Sequence, residues 1–178
     1  MTATQEVDMR YRLDVVAPSV ADVVASAGGW LVDRVMAGWD VTVLISGAQS
    51  AADLRPLQIL GVEVGDLESA MQLWEQRPHP QTVAVAADLF TSNDQVREGV
   101  LGALEQGMTE VTLWGESWPS ELDATVDCVQ HELSSAAMAF KTQAMNALGA
   151  GGVVAGAEVF RCGVMTCPSV AADLVPAS

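Results

Sequence analysis

Ser46, Asp88 and Glu116 each stand at or just after the end of a β-rich run, in the segments WDVTVLIS, TVAVAAD and EVTLWGE. In open α/β folds ligands bind in the crevice outside the carboxyl ends of the strands, so this placement puts a hydroxyl and two carboxylates where a substrate would lie. If the strands ahead of Asp88 and Glu116 are neighbours, the two carboxylates face one crevice. There they could act as a catalytic acid/base pair or hold Mg²⁺. The competing reading is that an Asp after a strand is a turn residue or a helix cap. Trp114 and Trp118 bracket Glu116 and are candidates to line a pocket or interface, whereas Trp30, Trp39 and Trp74 fit core positions.

Other chemistry is limited by the residue inventory. The single lysine, Lys141, follows no glycine-rich loop, so a phosphate cradle of the GxxxxGK[ST] type is absent. The first strand-to-helix turn reads Ala17-Pro18-Ser19-Val20-Ala21-Asp22, without the glycines of a dinucleotide site. A phospho-receiver domain is excluded by the missing acidic pair after the first strand and the missing lysine after the last. Gly115-Glu116-Ser117-Trp118-Pro119 imitates a nucleophile elbow but ends in proline, and the only histidine after it is His131. Cys128-x-x-His131 with Cys162-x4-Cys167 supplies zinc-ligand types at a spacing that is not standard, which argues against zinc. His79, between two prolines, reads as a surface loop residue.

Positioning these groups requires an alternation of strands and helices. Tyr11–Ala17 reads as a strand, and the apolar positions Val20, Val24, Ala27, Leu31 and Val35 mark a helix after it. Gly28 and Gly29 interrupt that helix, which points to close packing or to close approach of a ligand. Trp39–Ser46, Val62–Val64, Thr82–Asp88, Glu110–Gly115 and Glu158–Met165 read as further strands. Leu54–Leu60, a segment after Asp66, and a segment capped by Ser92 and running to Gln106 read as helices. Ser120–Leu148 reads as one long helix of about 40 Å. Its second face, with Cys128, His131, Met138 and Met145, suits either a helix sandwiched in the core or an interface. The predicted fold is a Rossmann-like α/β three-layer sandwich, a mostly parallel sheet of five or six strands with helices on both faces. One domain would span 11–167, between a disordered segment 1–10 and a tail 168–178.

With 23 acidic against eight basic side chains, the formal charge is −15. Nucleic acid and anionic membrane are poor partners for such a surface. No run reaches the roughly 18 to 20 apolar residues of a membrane span, and the start lacks the pattern of a secretory signal. An odd count of three cysteines fits reduced thiols, so the expected compartment is the cytoplasm. The Ala/Val-rich, Lys-poor composition is that of a GC-rich bacterial coding genome. The principal functional expectation is a non-enzymatic binding or regulatory protein that associates with itself or another protein through its long helix. The alternative is an enzyme, or degenerate enzyme, using Ser46, Asp88 and Glu116 on a small molecule.

Overall fold

Short runs of β-branched and apolar residues, each closed by a capping side chain or a glycine, set the element boundaries. The computed structural model describes residues 10–116, 119–122, 126–163 and 175–176. The strands are β1 (Arg12–Ala17), β2 (Asp40–Ile45), β3 (Glu63–Asp66), β4 (Thr82–Ala86), β5 (Glu110–Trp114), β6 (Val126–Glu132), β7 (Ala157–Gly163) and β8 (Val175–Pro176). The helices are α1 (Val20–Met36), α2 (Ala51–Leu60), α3 (Leu67–Gln72), α4 (Ala87–Ser92), α5 (Asp94–Gln106) and α6 (Ser135–Ala147). Ser19, Ser50, Asp66, Asn93 and Ser134 cap α1, α2, α3, α5 and α6 with side-chain oxygens.

One eight-stranded sheet runs in the order β3-β2-β1-β4-β5-β7-β6-β8. The first five are parallel, and β7, β6 and β8 pair antiparallel beyond β5. From β1 the chain winds outward to β2 and β3, then returns past β1 to β4. Strand order therefore reverses between β1 and β4. Alternating side chains feed two cores. Leu13, Val15, Val43 and Ala84 pack beneath α1, α2 and α6, and Val16, Leu44, Val85 and Leu113 pack beneath α3, α4 and α5.

The α/β class and the parallel strands agree with the sequence expectation, but the sheet is larger than five or six strands. The correction lies in 120–148. That stretch holds a 3₁₀ turn at Ser120–Leu122, strand β6, and α6, which starts only at Ser135. Leu122, Val126, Val129 and Leu133 recur at helical spacing, yet the seven-residue antiparallel register of Val126–Glu132 on Ala157–Gly163 decides the outcome. Nonlocal pairing outweighs local period here. Asn93, not Ser92, caps α5, because Ala87–Ser92 forms α4. Residues 1–9 and 164–174, including most of the expected end segments, lie outside the described residues. Val175–Pro176, expected in a tail, pairs with Val129 and Gln130 of β6.

Gly28 and Gly29 have a packing answer. A Cβ on Gly29 would lie 2.1 Å from Leu133 Cδ2, whereas one on Gly28 would meet only ordinary contacts at 3.6 Å and beyond. Glu158 of β7 accepts the Gly29 and Trp30 amides at 3.1 and 2.6 Å. Lys141 of α6 donates to Glu158 at 2.6 Å and to the Ala25 carbonyl at 2.7 Å. The carbonyl of Ala25 and the amide of Gly29 are the two ends of one helical rung. The ion pair thus seats on α1 at the place where the missing side chain lets Leu133 and α6 approach.

Gly29→Ala should destabilise the fold by about 1–3 kcal/mol through overpacking, and Gly28→Ala should be neutral or stabilising by up to about 1 kcal/mol; urea unfolding of both variants checks the contrast. Lys141→Met leaves Glu158 buried without its cation and should cost about 3–5 kcal/mol, read from the same curves. A Lys141→Met protein as stable as the parent would sink this account of the pair.

Candidate functional site

The carboxyl ends of β1 and β4 border the point where strand order reverses, the general position of ligand sites in open α/β sheets. Asp22 lies there, in the first turn of α1, half-buried. The Trp114 indole Nε1, at the end of β5, donates to Asp22 Oδ2 at 2.9 Å. This bond fixes the carboxylate by a neutral donor, and the α1 N-terminus favours its negative charge. Sequence reasoning read Ala17–Asp22 only as a failed dinucleotide turn. The signal it could have used was the position of Asp22 three residues beyond the Ser19 cap, where the first helical turn meets the crevice.

Asp88 and Glu116 follow neighbouring strands, as required, since β4 and β5 pair in parallel as far as Ala86 with Trp114. Gly115 carries a φ of +138°, and a Cβ there would lie 3.1 Å from the Ala87 Cβ. The residues directly before Glu116 and Asp88 are therefore in close approach. Both carboxylates are exposed, and neither side chain makes a hydrogen bond or ion pair with another described residue. Ser46, half-buried at the end of β2, is two strands from β4, about 10 Å at the usual strand spacing. Its carbonyl accepts from Gln49 Nε2 at 3.4 Å. The fold brings Asp22, Asp88 and Glu116 to one rim, with Ser46 farther along it. Trp118 lies outside the described residues.

The remaining candidates fall elsewhere. His131 is a buried strand residue, and its Nε2 meets Asp33 Oδ2 at 2.7 Å. The Ser134 hydroxyl and amide donate to the same carboxylate. This Ser, Asp and His group is no nucleophilic triad, because the aspartate sits between the other two, whereas the histidine must stand next to the serine. Burial alone would raise Asp33, but the bonds from Ser134 and His131 outweigh it and hold the carboxyl below its ordinary value. The helical spacing that placed Cys128 and His131 on one face is lost on a strand, where i and i+3 point to opposite sides. Cys128 is exposed, and burial together with Glu110 pushes the Cys162 thiol up to about 12. Cys167 is outside the described residues. Met138 is exposed on α6 beside Phe140, and Met145 packs against the core under α1 and α2.

Among the described residues no three His, Cys, Asp or Glu side chains converge to hold a metal ion. The rim donors named above are all oxygens, a set suited to a hard cation more than to zinc. No helix among the described residues is long and apolar enough to cross a membrane.

No family model and no curated protein matches the chain. Solved structures do. The zinc-inhibited form of teicoplanin deacetylase Orf2 superposes with a TM-score of 0.61 at 13% identity, covering 89% of this chain and 100% of that one. The A40926 pseudoaglycone deacetylase Dbv21 gives 0.58 at 16% identity, covering 90% and 100%. GalB, the 4-carboxy-2-hydroxymuconate hydratase of Pseudomonas putida KT2440, gives 0.55 at 14% identity, covering 93% and 100%. At such identities the likeness shows the fold. It also corrects the principal functional expectation: this is a fold on which solved relatives in shape are deacetylases and a hydratase, so the non-enzymatic binding protein associating through a long helix is set aside. The long helix itself does not exist.

Asp33 supplies a pH signature. Its folded-state value is lowered, so its stabilisation is present above the unfolded value of 3.8 and is lost as pH falls through the folded one. Asp33→Asn should remove this contribution at pH 7 and flatten the acid limb below pH 4 in urea-unfolding series run across pH. An unchanged acid limb would show that Asp33 is not held as described.

Proposed function

We propose that the chain is an enzyme acting on a small molecule at the rim formed by Asp22, Asp88 and Glu116, by hydrolysis or by addition of water. The observation that carries the reading is the Trp114-held Asp22 at the strand-order reversal, with two carboxylates on the adjoining strand ends that have no partner among the described residues. The names of the deacetylases and the hydratase that share the fold support a water-consuming reaction.

In this reading Asp22 is the base. Trp114 fixes one of its oxygens, and the other accepts a proton from water as the water oxygen bonds to an electrophilic carbon. The proton is delivered by way of Asp88 or Glu116 to the departing nitrogen as its bond to carbon breaks in hydrolysis, or to carbon in hydration. Ser46 is a binding hydroxyl farther along the rim. In this reading the carboxylates carry the proton transfers. A degenerate enzyme that binds without turnover is the second reading, favoured by His131 and His79 both being paired away from the rim.

The test is a panel of N-acetylated amines and unsaturated carboxylic acids, followed by acetate release and by mass gain of one water, with and without added Mg²⁺. Asp22→Asn should lower turnover by about 10²-fold or more, and Asp88→Asn or Glu116→Gln should do likewise for the acid. Turnover untouched by all three substitutions would place the chemistry elsewhere. Binding of a panel member with no turnover by the parent protein would select the degenerate reading.

A further inference from the structure

On the sheet face under α3 and α5, away from the carboxyl rim, a cavity of about 530 Å³ opens between α5 and the 3₁₀ turn Trp74–Gln76. Its floor is Val16, Val83, Val85 and Val111. The volume falls within the roughly 300–1,000 Å³ of small-molecule sites. Neither Asp22, Ser46, Asp88 nor Glu116 lines it. It reaches toward the amino ends of β4 and β5, where Pro80 and Thr109 border it.

Two glycines make this space more than an accident of packing. Gly99 and Gly102 lie inside α5, where glycine is disfavoured relative to alanine, and both line the cavity. A Cβ on either would meet no atom within 4 Å. The contrast with Gly29 is direct: there the protein's own packing demands glycine, and here none of the described residues does.

Charge defines the occupant. The lining contains two carboxylates, Glu75 on one wall and Glu98 on the other, and no lysine or arginine. Arg77, just past the turn, is committed to Asp14, with its Nη2 at 3.2 and 3.1 Å from the two carboxylate oxygens. The His79 ring is paired with the Thr109 hydroxyl at 2.8 Å. Trp74 adds an aromatic face on the same wall as Glu75, a surface that attracts cations and flat apolar groups.

We propose that this cavity is a second binding site, distinct from the carboxyl rim, for a small organic cation with a flat apolar body. The body rests on the valine floor against Trp74, and the ammonium group lies between Glu75 and Glu98.

The experiment uses ¹⁵N-labelled full-length chain and two probes that share an indole body and differ in charge, tryptamine and indole-3-propionate. Tryptamine should give saturable shifts at the amides of Val83, Val85 and the 96–103 stretch. Indole-3-propionate should bind at least about tenfold more weakly. Gly102→Leu fills the cavity and should abolish the tryptamine shifts while the melting temperature holds or rises. Gly99→Met serves the same purpose if the first variant does not fold. Glu98→Gln should weaken tryptamine and not indole-3-propionate. Equal affinity for the two probes, shifts centred on Asp22 and Glu116, no saturable shift, or tryptamine binding that survives cavity filling would each overturn the proposal.

Discussion

The Lys141–Glu158 ion pair holds the two halves of the molecule in register. It is buried, it joins α6 to β7, and it seats both on α1 through the Ala25 carbonyl and the amides of Gly29 and Trp30. Beside it, Trp30 and Phe160 meet at a ring-centroid distance of 4.9 Å. The pair therefore fixes how the antiparallel strands lie against the parallel sheet, and with that the height of α1 over the strand ends. Asp22 is in the first turn of the same helix, so the carboxyl rim inherits its geometry from a contact two turns away. Burying two charges is expensive in itself. What the pair provides is a single placement, since any other seating of α6 leaves a carboxylate or an ammonium group without partners.

This explains the use made of a small basic set. Lys141 and Arg34 are buried, and Arg77 is turned inward onto Asp14. The Arg34 guanidinium lies 4.1 Å from the Trp39 ring centroid and 5.2 Å from that of Trp30. Cations that the composition counts toward the surface balance are spent inside. They are matched there by the buried carboxylates Asp14, Glu110 and Glu158, so the outer surface keeps the chain's excess of negative charge with few cations left to offset it locally.

Much of the parallel half was legible in the sequence because its signals are local and agree with one another. WDVTVLIS, TVAVAAD and EVTLWG are short apolar runs with turn residues at each end, and they become β2, β4 and β5. The stretch 120–148 was misread because its apolar residues satisfy a helical period, while the partner that makes 126–132 a strand stands some thirty residues further on. No local pattern encodes that pairing. In the candidate site, Asp88 and Glu116 were legible from strand ends alone. Asp22 was not, because what marks it is an indole from β5, a contact between residues far apart in the chain. Gly28 and Gly29 looked alike in sequence and differ in function only through Leu133.

Strand order has a consequence for how the chain is made. β5 leaves the ribosome long before its neighbour β7, and β6, which emerges between them, has no place in the sheet until β7 arrives. Through that interval the nascent chain presents the unpaired backbone edge of β5, a template for pairing with other chains. The seating of Glu158 on α1 is thus also the event that closes this edge. Substitutions at Gly29, Lys141 or Glu158 should be felt first as aggregation during synthesis, in the yield of soluble protein, before any loss is visible in the folded state.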